Sequence, residues 1–459
     1  RFGEAAEVYK GITQKWPDHY EVYFDLANAY ARGGKVAEAR KVYDDLEKKI
    51  GRSEDLVMNE FDMLANAGAL EEARTLLEDA IARDPSQPVY HSMLAEVYDH
   101  LRMPEQALAQ YEELLRLDPS DNMTRISLAQ HWFDAGDFPK AFEQLQVAFA
   151  DPDLEIDPKM QLLLSFYEMT SRGDMPVNER DQMKRESFAL INTLKQAHAG
   201  DGKPFAIEGD MLLRDGEMEK ARDSFRKAAE LAPDKFPIQQ QLLDLDLRLS
   251  DNVSLEKDAA AAIELFPTVA NLHLYRGTAL SNLGRHDEAI EELITGRDLV
   301  VDDDTLLSQF WTSLGDAYHE AAKHADSDAS YDKALALVPD NANTLNNYAY
   351  FLSLRGEHLD KAERMSKRSN ELAPNQTSYM DTYAWVLFKL GKFNDARSWI
   401  EKAVAGGAGN SGEVLEHFGD ILYRLDDATG ALQKWKEAQA LGGTSTDIDR
   451  KVSEGRLAD

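Results

Sequence analysis

The sequence predicts an all-α solenoid, a stack of antiparallel helix pairs, and three observations predict it. Ala39, Ala73, Ala107 and Ala141 stand 34 residues apart, as do Pro85 and Pro119, and again Pro233 and Pro267. A fixed period of this size is the mark of a repeat architecture. Within each period, apolar residues recur at helical spacing on one face. Tyr23, Leu26, Ala27 and Tyr30 mark one helix, Ala39, Tyr43 and Leu46 the next, with Gly33 and Gly34 breaking the two apart. Small residues also recur where paired helices would cross closely, among them Ala27, Ala95, Gly277, Gly315, Ala384 and Gly419.

Composition agrees with an array. The chain has 459 residues, 43% of them hydrophobic. That exceeds the roughly 250–300 residues at which single cores stop growing. Asp and Glu number 83 against 51 Lys and Arg, a formal charge of −32. Such a field repels nucleic acid and anionic lipid, so both are disfavoured as partners. With no cysteine, thiol catalysis, disulfides and Cys-ligated zinc are excluded within this sequence.

Residues 1–19 carry Ala5, Tyr9, Ile12 and Pro17 at second-helix positions with no first helix before them, so an incomplete repeat belonging to a longer protein is expected. Residues 20–153 hold repeats 1–4, starting near Tyr20, Glu54, Pro88 and Asn122. Residues 154–201 hold repeat 5, starting near Ile156, with an inserted loop expected over about 171–182. Residues 202–303 hold repeats 6–8, starting near Gly202, Phe236 and Ala270. Residues 304–443 hold repeats 9–12, starting near Ser308, Ala342, Thr377 and Gly412, with four extra residues in "VVDDDT" and one in "RGEHLD". Residues 444–459 read as a C-terminal capping helix, with Ile448 and Val452 four apart. About twelve helix pairs result, plus the N-terminal half repeat.

At this point the residues resemble a known family. "WTSLGDAY" places Trp311, Leu314, Gly315 and Tyr318 in the W-x-x-L-G-x-x-Y pattern of the tetratricopeptide repeat, and Tyr331, Ala334 and Pro339 continue it. The resemblance implies a right-handed superhelix whose first helices line a concave groove through repeat positions 2, 5, 9 and 12. Position 9 carries Asp62, Glu96, Asp210, Asp244, Asp316 and Asp420, an acidic row suited to a basic or donor-rich partner segment. Tyr350 and Trp385 also take position 9, while Phe388 and Tyr423 take position 12. These four aromatics are expected to form an apolar anchor site that a partner covers. Asn347 matches an asparagine with which chaperone-binding members clamp a peptide carboxylate. Thr312, Asp316, Ser378 and Thr382 replace the cations of that clamp, so this mode is not expected.

Other chemical signals have bland readings. Gly407, Gly409 and Gly412 spell G-x-G-x-x-G, yet they follow a helix rather than a strand, so they read as an inter-repeat linker. "HEAAKH" puts Lys323 where a zinc-protease motif needs histidine, and Arg172-Gly173-Asp174 falls in the insertion. No catalytic set, cofactor or metal is expected. The closing repeats from Asn343 to Val404 resemble exported repeat proteins of Gram-negative bacteria, often lipoproteins. This implies a non-enzymatic scaffold in a cell-envelope assembly, periplasmic or anchored to the outer membrane, binding proteins or peptides with basic or apolar segments. The alternatives are a cytoplasmic location and a targeting module of a larger enzyme whose catalytic domain lies upstream.

Overall fold

A computed structural model describes residues 2–173 and 175–457. Among them are twenty-six α-helices, one short 3-10 turn and no strand. Two compact units divide the chain, residues 1–215 and 216–459. Substantial helix packing runs only between helices one or two places apart in the chain, as in a solenoid.

In the first unit, Phe2–Lys15 is followed by the pairs Glu21–Arg32 with Val36–Ile50, Glu54–Asn66 with Leu70–Arg83, Pro88–His100 with Pro104–Leu117, and Asn122–Asp134 with Phe138–Phe149. Ile156–Ser171 with Val177–Ala197 is the fifth pair, and Lys203–Arg214 closes the unit. Proline opens several of these helices, where its missing N–H costs nothing. The expected loop over 171–182 is corrected here. A helix already runs from Val177, so most of the insertion lengthens the fifth pair. Arg214 secures the extension, donating from Nη1 to the Tyr167 carbonyl (2.8 Å) and the Ser171 hydroxyl (2.7 Å). Asp174, the last residue of the Arg-Gly-Asp tripeptide, lies outside the described residues.

The second unit opens with Met218–Leu231. It continues with Phe236–Arg248 and Asn252–Leu265, Ala270–Asn282 and His286–Arg297, and Asp304–Glu320 and His324–Leu337. Ala342–Arg355 with Leu359–Leu372, Thr377–Lys389 with Phe393–Ala405, and Gly412–Arg424 with Ala428–Leu441 complete its pairs, and Ile448–Glu454 is last. The four extra residues before the ninth repeat add about one helical turn. The helix begins at Asp304, capped by the Asp303 carboxylate, which accepts from the Leu306 N–H at 2.9 Å.

Close helix crossing explains the small residues. A Cβ on Gly315 would lie 2.9 Å from the Tyr331 ring, and one on Gly419 would lie 2.4 Å from the Trp435 indole. Ala27, Ala95, Ala349 and Ala384 are wholly buried at equivalent points. The linker reading of the glycine triplet fits the local geometry. Gly407 follows a helix end at φ 114°, and Gly412 begins the next helix against the Gly442 carbonyl, where no side chain fits.

Candidate functional site

First-helix faces of the second unit build a groove. Asn271 and Gln309 take position 2 of the eighth and ninth repeats, and Asn343 takes it in the tenth. Leu274 and Thr312 follow at position 5, Thr278 and Asp316 at position 9, with Leu247 and Tyr275 alongside. Together they line a cavity of roughly 490 Å³. The three amides are exposed, and among the described residues none has a side-chain hydrogen-bond partner in the chain. Each offers a donor and an acceptor, the pair an extended peptide backbone requires.

Asp316 sits at the wall of this cavity. The Tyr331 hydroxyl and Asn347 Nδ2 (3.2 Å) both donate to its Oδ1. Burial pushes its carboxyl up to about 6, and those two bonds oppose the shift. Asp244 likewise accepts from the Tyr275 hydroxyl. Buried carboxylates need donors, and tyrosines of neighbouring helices supply them.

The expected acidic row is therefore corrected. Asp62, Glu96 and Asp210 are exposed carboxylates of the first unit. Asp244 and Asp316, in the second unit, are half-buried and bound by tyrosine. Asp420 is buried, accepting from Trp435 Nε1 (2.8 Å) and from Lys451 Nζ (2.8 Å). Asn347 spends its amide on Asp316 and holds no carboxylate clamp open.

The expected exposed aromatic cluster is also corrected. Trp385 is 8% exposed and Phe388 9%. The Trp385 ring stacks on His417 of the next repeat at 4.0 Å between centroids and on Phe388 at 4.8 Å. Tyr350 reaches past the eleventh repeat, its hydroxyl donating to Glu413 at 2.5 Å. Tyr423 is half-buried near Trp435. Neighbouring repeats thus cover the helix Thr377–Lys389 that a partner was expected to cover. Its apolar circumference is inter-repeat core.

Polar residues unnoticed in the sequence complete this end of the second unit. His417 Nδ1 pairs with Asp381 (3.0 Å), and the pair outweighs burial to raise the imidazole's pKa. Lys451 also donates to Glu416 (2.7 Å), and Glu416 accepts from the Ser445 N–H (2.7 Å). Burial pushes both carboxyls up. It prevails at Asp420, whereas the Lys451 and Ser445 bonds hold Glu416 below its usual value. The sequence reading missed the position-2 amides, which repeat spacing could have found, and Lys451, which lies outside the repeats and carries no such signal. His319, which opens "HEAAKH", stacks on Phe351 at 3.7 Å between ring centroids. Among the described residues, no group of three or more His, Cys, Asp or Glu is placed to hold a metal.

Residues 1–56, 92–155, 207–235 and 330–364 each match the tetratricopeptide repeat. A CTR9 homolog of Arabidopsis thaliana is 20% identical over 94% of this chain and 41% of its own length. A TPR repeat-containing protein of Pseudomonas aeruginosa is 26% identical over 44% of this chain and 34% of its own. The chain thus spans less than half the length of these curated relatives. Among solved structures, yeast Tom70 is similar at 16% identity, covering 96% of this chain and 95% of that one, with a TM-score of 0.43. A chain of the APC/C hetero-tetramer Cut9–Hcn1 is similar at 13% identity, covering 99% and 94%, with a TM-score of 0.47. With its period, its helix pairs and these four matches, the chain belongs to the tetratricopeptide repeat superfamily, whose repeats serve as protein-interaction scaffolds.

Proposed function

We propose that this chain is a non-enzymatic scaffold that holds an extended partner segment in the groove of repeats 8–10, within a bacterial cell-envelope assembly. One observation carries the groove assignment: Asn271, Gln309 and Asn343 line one cavity with their hydrogen-bonding capacity unused. Partner backbone N–H and C=O groups would satisfy them, and Leu247 and Leu274 in the same lining would meet apolar side chains. Asp316 favours a segment that carries a cation or a hydrogen-bond donor. The envelope setting rests on the closing repeats, which resemble exported bacterial repeat proteins.

Site-specific photocrosslinking tests both parts. A photoreactive residue at Gln309 should trap a partner that the same residue at Thr295, on a second helix, does not. Replacing Asn271, Gln309 and Asn343 together by Ala should weaken that partner roughly thirtyfold or more, since each net hydrogen bond contributes about 0.5–1.5 kcal/mol. Unchanged affinity in the folded triple variant sinks the groove, and a cytoplasmic partner sinks the envelope setting.

A further inference from the structure

The C-terminal segment crosses the first helix of the twelfth repeat where a ligand would. Glu416 and Asp420 occupy positions 5 and 9 of that helix, the positions that give Leu274, Thr278, Thr312 and Asp316 to the groove of repeats 8 and 9. The two residues are 3% and 4% exposed, and both carboxylates are engaged by one lysine, Lys451.

The segment fills this face incompletely. A cavity of roughly 530 Å³ lies on one side, lined by Phe388, Lys389 and Arg424. Another of roughly 470 Å³ is lined by Tyr350, Glu413 and Ser445. Trp385, Asp420, Asp447 and Lys451 border both. Trp385 is also more than nine-tenths buried, and its indole Nε1 has no hydrogen-bond partner. A site satisfied by its present occupant would not leave that donor orphaned.

The occupant is also weakly built in. Gly442 and Gly443 join it to the last repeat, at φ 75° and 67°. Its helix, Ile448–Glu454, has seven residues, too few to persist alone. Ile448 is its one buried apolar side chain, and its other buried residue is Lys451. Val452 and Leu457 are only partly buried against the same core, and the polar bonds of Lys451 to Glu416 and Asp420 add to this hold.

We propose that Glu416 and Asp420 form a lysine-recognition site for a partner segment, and that residues 444–457 are a displaceable stand-in for it. The partner segment is a short helix with an aliphatic residue three before its lysine and another just after, as in Ile448, Lys451 and Val452. Its longer backbone fills the flanking cavities and brings an acceptor to Trp385. This site is separate from the amide-lined groove, and neither reading depends on the other.

A fluorescent peptide with the sequence TSTDIDRKVSEGRL, residues 444–457, titrated into the full chain tests this by anisotropy. Lys451→Ala weakens the internal competitor and should bind the peptide at least tenfold more tightly than the parent. Lys451→Arg keeps the cation and should bind like the parent. Adding Glu416→Gln and Asp420→Asn to Lys451→Ala should abolish the gain. In the parent, amides of 448–454 should exchange at least a hundredfold faster than those of the helix Gly412–Arg424, a measurement that needs no variant to fold. Equal protection of the two helices, or no gain in folded Lys451→Ala, overturns the proposal and makes the segment a fixed cap.

Discussion

At the scale of single residues, burial decides what each polar or aromatic group can do. Trp385 has the repeat position of a groove anchor, yet it lies between His417 and Phe388. Truncating it is therefore a test of stability. Trp385→Ala should cost about 3–5 kcal/mol in denaturant unfolding, the range for large buried aromatics. Trp385→Phe, which deletes the orphaned indole nitrogen, should cost far less, and equal losses would contradict this packing. Asp316 gives a pH signature. Its carboxyl keeps its proton up to about 6 in the folded chain, against an ordinary 3.8. The folded state thus binds more protons across that window, so stability falls as pH rises through it, and the penalty persists above. Asp316→Asn, whose amide oxygen can still accept from Tyr331, should lose this component of the slope. An unfolding midpoint that falls with pH as steeply in the variant as in the parent would rule it out.

At the scale of elements, the turn within each helix pair repeats one backbone requirement with varied chemistry. Gly34, Gly68, Gly136, Gly284 and Gly391 adopt positive φ there. Arg102, Ser250, Ala322 and Asp426 hold the same conformation with a Cβ, at φ 55–62°. Left-handed geometry costs a non-glycine residue roughly 1–2 kcal/mol, offset in part by the greater chain entropy of glycine when unfolded. Ala322 is exposed and contributes no core contact. Ala322→Gly should therefore raise unfolding stability by about 0.5–1 kcal/mol, and a loss of stability would refute the strain. The insertions obey the same local rules. Four residues before the ninth repeat extend its helix behind an aspartate cap, and those of the fifth repeat lengthen its pair, with Arg214 holding the end.

At the scale of the whole molecule, packing between sequence neighbours makes stability local. Gly315→Leu would drive a side chain into the Tyr331 ring and should cost on the order of 1–3 kcal/mol through overpacking. Hydrogen exchange should then quicken in the ninth repeat and its neighbours and stay unchanged in the first. Equal loss of protection everywhere would contradict a solenoid. The sequence by itself determined the helix pairs, their period and the crossing points. Each of these depends on residues close in the chain, and a 34-residue ruler repeats the signal a dozen times. Only the tertiary structure decided which position-9 residues are open. Asp316 and Asp420 read alike as acids at one repeat position. Asp316 borders an open cavity that Asn271, Gln309 and Asn343 also line. Asp420 is 4% exposed because a segment outside the repeats folds back over it and inserts Lys451. Periodicity places a side chain on a face, but what covers that face comes from elements whose approach no local pattern records.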